Sequence, residues 1–328
     1  VARDLLAALP NLRRLGMRAV AGAADAMPLG LARVVAYNLA TVAWLVDGRG
    51  RRTVARNLAA AVPPGETMRR AVRRSYTEFA LTLAEASRLH HDGWLLPGVI
   101  TVHDPWRVFA ARPLRGPAIL ATVHSHWDML AAALHRLRLT DGLLAPALAY
   151  GDPALDTWLA QRRGAWGCRT VTLDRAPLAL LRALRDGRVL GMLVDRDYSG
   201  HGLDGVFLGR PTRLPSGPAA LAVQTKAPVI PMLLARRSPS SFTLLVGKPL
   251  RPDAALPRGA QVADLTRRIA AATSRLLSAA PAQWVAFHEQ RLEAGSWRLE
   301  ASLPLNPALP PGTSPAAGLQ PPASSPQP

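Results

Sequence analysis

From residue 117 onward, short apolar runs alternate with stretches whose apolar residues recur at helical spacing. The runs at 118–123, 143–148, 168–173, 189–194, 228–234 and 241–246 predict buried strands. The stretches at 127–137, 154–163, 177–184, 215–225 and 260–279 predict helices, the fourth opening on Pro215-Ser-Gly-Pro218, a helix-start signal. This alternation predicts an α/β fold: a mixed, mostly parallel central sheet flanked by helices. Residues 49–91 read as one further helical region. Arg69, Arg70, Arg73 and Arg74 place a basic stripe on one face of it. The stripe reads either as a contact for anionic head groups or as a solvated face.

The two ends behave differently from the body. Residues 28–46 are apolar over a length close to the ~20 residues of a membrane span, but Arg33 and Asn38 interrupt them. An arginine at the centre of a span costs roughly 2.5–3.5 kcal/mol. An interfacial or buried helix is therefore expected rather than a crossing one. Residues 303–328 are rich in Pro, Ala, Ser and Gly and predict a disordered tail. Three parts follow: a membrane-associating helical segment at 1–48, a body at 49–302 and the tail at 303–328.

Composition narrows the function classes. Hydrophobic residues make up 49% of the 328, enough for a large core, which excludes wholesale disorder. The single cysteine, Cys168, excludes an intramolecular disulfide, a thiolate zinc cluster and a CxxC redox pair. The formal net charge of +18 favours a polyanionic partner: nucleic acid, an anionic bilayer or a phosphorylated substrate. There is no zinc-finger or RRM-like pattern and aromatics are only 5%, so nucleic acid is not expected.

Two segments carry the candidate chemistry. His124, His126 and Asp128 follow the run at 118–123, and ligands in open α/β sheets gather at the carboxyl ends of strands. An imidazole beside a carboxylate is a general base with an orienting group. His124, His126 and Asp128 are also potential metal ligands, but no further ligand cluster accompanies them. The second segment, 194–222, follows the run at 189–194 and reads DRDYSGHG…VFLGRP…LPSGPAALA. Its Arg196, Arg210 and Arg213 suit a phosphate or a surface turn held by Asp–Arg pairs.

Taken together, HSHWDML, DRDYSGHG…VFLGRPTRLPSGPAALAVQTKAPVIP, the RTVARNL…VP opening and the PAQW closing segment resemble the bacterial lysophospholipid acyltransferase superfamily. Within it, they are most similar to the lipid A late acyltransferases and phosphatidylinositol mannoside acyltransferases. The resemblance implies a glycerolipid-acyltransferase-like α/β body at 49–302 on the cytoplasmic face of the inner membrane, peripheral or with one N-terminal membrane segment. It implies transfer of a fatty acyl group from acyl-CoA or acyl-carrier protein to a hydroxyl of a glycolipid or phospholipid. No cofactor or metal is implied. The expected partners are an anionic membrane surface, the lipid acceptor and the thioester donor.

The family's catalytic His-x4-Asp motif carries over to His124 as general base and Asp128 as its carboxylate. Arg163, Arg196, Arg210 and His126 are the expected substrate contacts. This chain has one residue fewer between His124 and Asp128 than the family pattern. Either the pair still meets across a tighter loop or it is out of alignment. The alternative function is a non-catalytic lipid-binding relative.

Overall fold

Helices α1 (Leu29–Val46), α2 (Gly48–Leu58) and α3 (Met68–Ser87) precede the sheet. The computed structural model describes residues 22–23, 25–62, 65–89, 97–149 and 151–288, all within one unit spanning 1–292. The tail expected at 303–328 and most of the segment before α1 lie outside the described residues. The single helical region expected at 49–91 is two helices. Pro63 and Pro64 stand between them without the N–H a helix requires, and Gly65 sits at φ +86°. Asp47 caps α2 by accepting from the Gly50 N–H (2.7 Å), and Thr67 caps α3 by accepting from the Arg70 N–H (3.3 Å).

Helix α1 explains its own interruption. Ala32, Ala36 and Ala40, spaced four apart, are buried where α1 packs on α3. Arg33 turns inward and donates to Glu85 on α3 at 2.8 Å. The charge that argued against a membrane span is thus satisfied inside the protein. The opposite face exposes Leu31, Val34, Leu39, Val42, Leu45 and Val46.

The strands are β1 (Ile100–His103), β2 (Ala118–Thr122), β3 (Leu143–Ala147), β4 (Cys168–Thr172), β5 (Val189–Leu193), β6 (Leu203–Phe207), β7 (Arg210–Leu214), β8 (Val229–Ser238) and β9 (Ser241–Val246). Seven form one sheet in the order β1-β9-β8-β2-β5-β3-β4. Strands β8, β2, β5, β3 and β4 run parallel, while β9 turns back antiparallel on β8 and carries β1 parallel to itself. The connecting helices are α4 (Trp127–Arg136), α5 (Pro153–Ala165), α6 (Ala176–Arg185), α7 (Gly217–Thr225) and α8 (Arg258–Ser278).

The alternation along β2 shows why both faces are covered. Ile119, Ala121 and Val123 join the core made with α6, α7 and α8, while Ala118 and Leu120 join the core made with α4. The polar, glycine-bearing loop expected after residue 194 contains a two-stranded hairpin, β6–β7. Its turn places Leu208 at φ +48° and Gly209 at φ +76°, two left-handed residues that suit the twist of a tight hairpin. Ser274 on α8 accepts the Leu208 N–H at 3.0 Å and holds the turn.

Candidate active site

The parallel register of β2 and β5 assembles the site. Ala118 pairs with Val189 and Thr122 with Leu193, an offset of 71 residues. Two residues beyond each strand, the same offset sets His124 beside Asp195. His124 Nδ1 lies 2.8 Å from Asp195 Oδ1, which also accepts the His124 backbone N–H at 3.0 Å. An ionised carboxylate only accepts, so Nδ1 carries a proton toward it, and in the neutral ring Nε2 is the basic nitrogen. The Tyr198 hydroxyl lies 3.3 Å from Nε2, and the Trp127 ring stands edge-on to the imidazole.

Asp195 is 1% exposed. Burial by itself would raise its carboxyl. The charge and hydrogen bond of His124, the charge of Arg196 and the Trp284 N–H outweigh that and hold it well below the usual carboxylate range. Trp284 Nε1 donates to Asp195 Oδ2 at 2.7 Å, so both carboxylate oxygens are engaged.

The closing segment fastens this pair. Beyond the 3-10 turn Pro281–Gln283, the Val285 N–H donates to the His124 carbonyl (2.7 Å), and Arg196 donates to the Val285 carbonyl. Asn57 on α2 donates to the carbonyls of Ala286 (2.8 Å) and His288 (2.7 Å). The Gln283 amide closes a two-way bond with the Arg236 backbone, accepting at 2.9 Å and donating at 2.8 Å. Burial, followed by the nearby Arg196 charge, pushes the His288 imidazole down to about 4, so it is neutral at pH 7.

The expected site residues are distributed as follows. His124 sits at the centre of the carboxyl edge of the sheet. The carboxylate hydrogen-bonded to its ring is Asp195 rather than Asp128. Asp128, in the first turn of α4, is held by Arg163 of α5 (Nε to Oδ1 2.8 Å, a terminal nitrogen to Oδ2 3.4 Å). Helix α4 starts at Trp127, and Asp128 in its first turn is anchored toward α5. Arg196 supports the closing segment. Arg210 opens β7 and donates to the Arg56 carbonyl on α2. His126 is buried, with Nδ1 3.1 Å from the Leu234 carbonyl and Nε2 3.6 Å from Glu78.

Asp195 and Tyr198, which contact His124, and Trp284, which bonds Asp195, are the residues of the site that residue spacing missed. A cavity of about 170 Å³ opens further along the same edge, between α5 and the ends of β3 and β4. Apolar side chains such as Leu148, Leu159 and Val171 line it together with polar Asp156, Arg163, Thr170 and Thr172. No group of three or more metal-ligating side chains occurs among the described residues. Burial raises the Cys168 thiol to about 12, which leaves it protonated and without nucleophilic character at neutral pH.

The family model for bacterial lipid A biosynthesis acyltransferase matches residues 15–292, a span that contains every described residue. The chain belongs to this family. Among curated relatives of the lipid A acyltransferase family member described here, the phosphatidylinositol mannoside acyltransferase of Mycolicibacterium smegmatis is 29% identical over 191 residues. That alignment covers 56% of this chain and 62% of the relative. The protein of the same name from Mycobacterium tuberculosis strain H37Rv is 34% identical over 119 residues, 35% of this chain and 37% of the relative. The chain therefore aligns with less than two thirds of the length of either. Within the family match lie both His124 and Asp195 and the segment that fastens them.

Proposed function

We propose that this protein is a membrane-associated O-acyltransferase, moving a fatty acyl group from acyl-CoA or acyl-carrier protein to a hydroxyl of a glycolipid or phospholipid. The observation that carries the reading is the His124 ring at the strand ends: Nδ1 held on a buried carboxylate, which leaves Nε2 beside the Tyr198 hydroxyl to act as base. Family membership and the relatives' names support acyl transfer to a lipid.

In this reading the acceptor hydroxyl hydrogen-bonds to His124 Nε2, beside the Tyr198 hydroxyl. As its oxygen attacks the thioester carbonyl carbon, the proton passes to Nε2. Asp195 fixes the tautomer and balances the imidazolium. The positive end of α4, starting at Trp127, favours the negative oxygen of the tetrahedral intermediate. That intermediate collapses with cleavage of the C–S bond, and the imidazolium returns its proton to the departing thiolate. The reaction runs on groups of this chain and an already activated thioester.

Mass spectrometry of host membranes tests the reading. An acylated lipid present with the wild type and missing with His124→Ala is expected, and its mass names the acceptor. The same species made equally by both would refute the assignment of His124.

The partner surface is read from α1. Its exposed apolar face borders Trp44, whose ring lies 5.8, 5.3 and 5.8 Å from the guanidinium carbons of Arg51, Arg69 and Arg73. An apolar strip edged with cations suits the cytoplasmic face of the inner membrane, where each basic residue near an anionic surface contributes about 1 kcal/mol. Vesicle flotation is expected to show binding that needs an anionic lipid, weakens with salt and is lost in Val42→Asp/Leu45→Asp. Equal binding to neutral and anionic vesicles would rule out the charge contribution.

A further inference from the structure

We propose that Trp284 is a positioning residue for acyl transfer: its indole N–H fixes the Asp195 carboxylate, so that the other oxygen aligns His124. The proposal rests on the functional reading above and adds a third member to the pair.

Three observations carry it. First, the 2.7 Å Nε1–Oδ2 bond lies where water does not reach, since Trp284 and Asp195 are both 1% exposed. A buried carboxylate oxygen without a donor is costly, and a carboxylate with one free oxygen can swing about its Cβ–Cγ bond. With Oδ2 pinned by the indole, Oδ1 is left for the His124 ring and the His124 backbone N–H together.

Second, the indole is itself immobilised. Its ring packs against Phe207 of β6 (centroids 5.2 Å) and His288 (5.5 Å, edge-on). The residue before it is locked by the reciprocal bonds of Gln283 with Arg236. The residue after it bonds the His124 carbonyl. Third, the chemistry at this position is specific. Trp has a donor and no acceptor, and an N–H bond to an ionised carboxylate is stronger than one to a neutral carboxyl. It thereby favours the state of Asp195 that can pair with an imidazolium.

A double-mutant cycle reads the role. Trp284→Phe keeps a ring against Phe207 and His288 and removes only the donor and some area. In the otherwise wild-type enzyme it is expected to lower kcat about tenfold with KM nearly unchanged. In an Asp195→Asn background the same substitution is expected to change kcat less than about twofold, because the group it acts through is already altered. Equal losses in both backgrounds, or a loss confined to thermal stability, would overturn the proposal.

A second measurement stands apart from activity. Of the eight tryptophans in the chain, the indole N–H signal that Trp284→Phe removes from a ¹⁵N-tryptophan spectrum is expected to shift in Asp195→Ala. An unmoved signal would overturn the contact. A wild type without turnover whose indole signal still answers to Asp195→Ala would overturn the acyl-transfer reading and leave the indole–carboxylate pairing supported.

Discussion

Arg236→Met is expected to destabilise the fold by about 3–5 kcal/mol, the range for removing one member of a buried ion pair. Arg236, on β8, is 7% exposed and bonds two carboxylates of α3. Its Nε lies 2.9 Å from Glu78 Oε2, and its terminal nitrogens lie 3.0 and 2.5 Å from the two oxygens of Glu85. Glu85 also receives Arg33 from α1. Methionine fills a similar volume, but it leaves Glu85 with Arg33, and Glu78 with the longer contacts of Arg74 (3.8 Å) and His126 (3.6 Å). The cluster joins α1, α3 and the sheet, so the loss falls on the docking of the whole helical layer. A fall in melting temperature on the order of 10 °C is expected by differential scanning calorimetry. Simultaneous replacement of Arg236, Glu78 and Glu85 by apolar residues is expected to cost less than the single change, because the buried acids leave with their cation and Arg33, 24% exposed, reaches water. A melting temperature unchanged in Arg236→Met would show that the cluster contributes little.

The largest effect on activity is expected at His124. His124→Ala is expected to lower kcat by about a hundred- to ten-thousand-fold, the usual worth of a positioned general base. Alanine leaves the Asp195 carboxylate with Trp284 and the backbone N–H of residue 124, so the carboxylate keeps two donors and the fold is retained. Single-turnover assays with excess enzyme separate the chemical step from acceptor binding. Retained kcat would remove His124 from the reaction.

Much of the fold could be read along the chain because buried parallel strands are near-continuous apolar runs, and AILAT at β2 and VLGML at β5 are of that kind. Strand β1 escaped notice. ITVH is four residues long, lies at the sheet edge and alternates in burial, so no apolar run marks it. The β6–β7 hairpin escaped because its turn is Leu208-Gly209 where Asn-Gly or Asp-Gly would have signalled it.

Within the site, His124 was legible from its place after a strand. Its carboxylate was not, because the two are separated by 71 residues and meet only through strand register. Asp128 is close in sequence, but the helix start turns it to Arg163. A signal existed all the same: two apolar strands, each followed at the same distance by a residue able to move or hold a proton.

The central claim is that His124 and Asp195 act as one unit, and a double-mutant cycle on them tests it most directly. The kcat of Asp195→Asn, His124→Ala and the combined variant would be measured on the same acceptor and thioester. The account predicts that Asp195→Asn loses much of what His124→Ala loses, and that the combined variant is no slower than His124→Ala alone. A nearly wild-type kcat for Asp195→Asn, or a combined loss equal to the product of the two single losses, would contradict it.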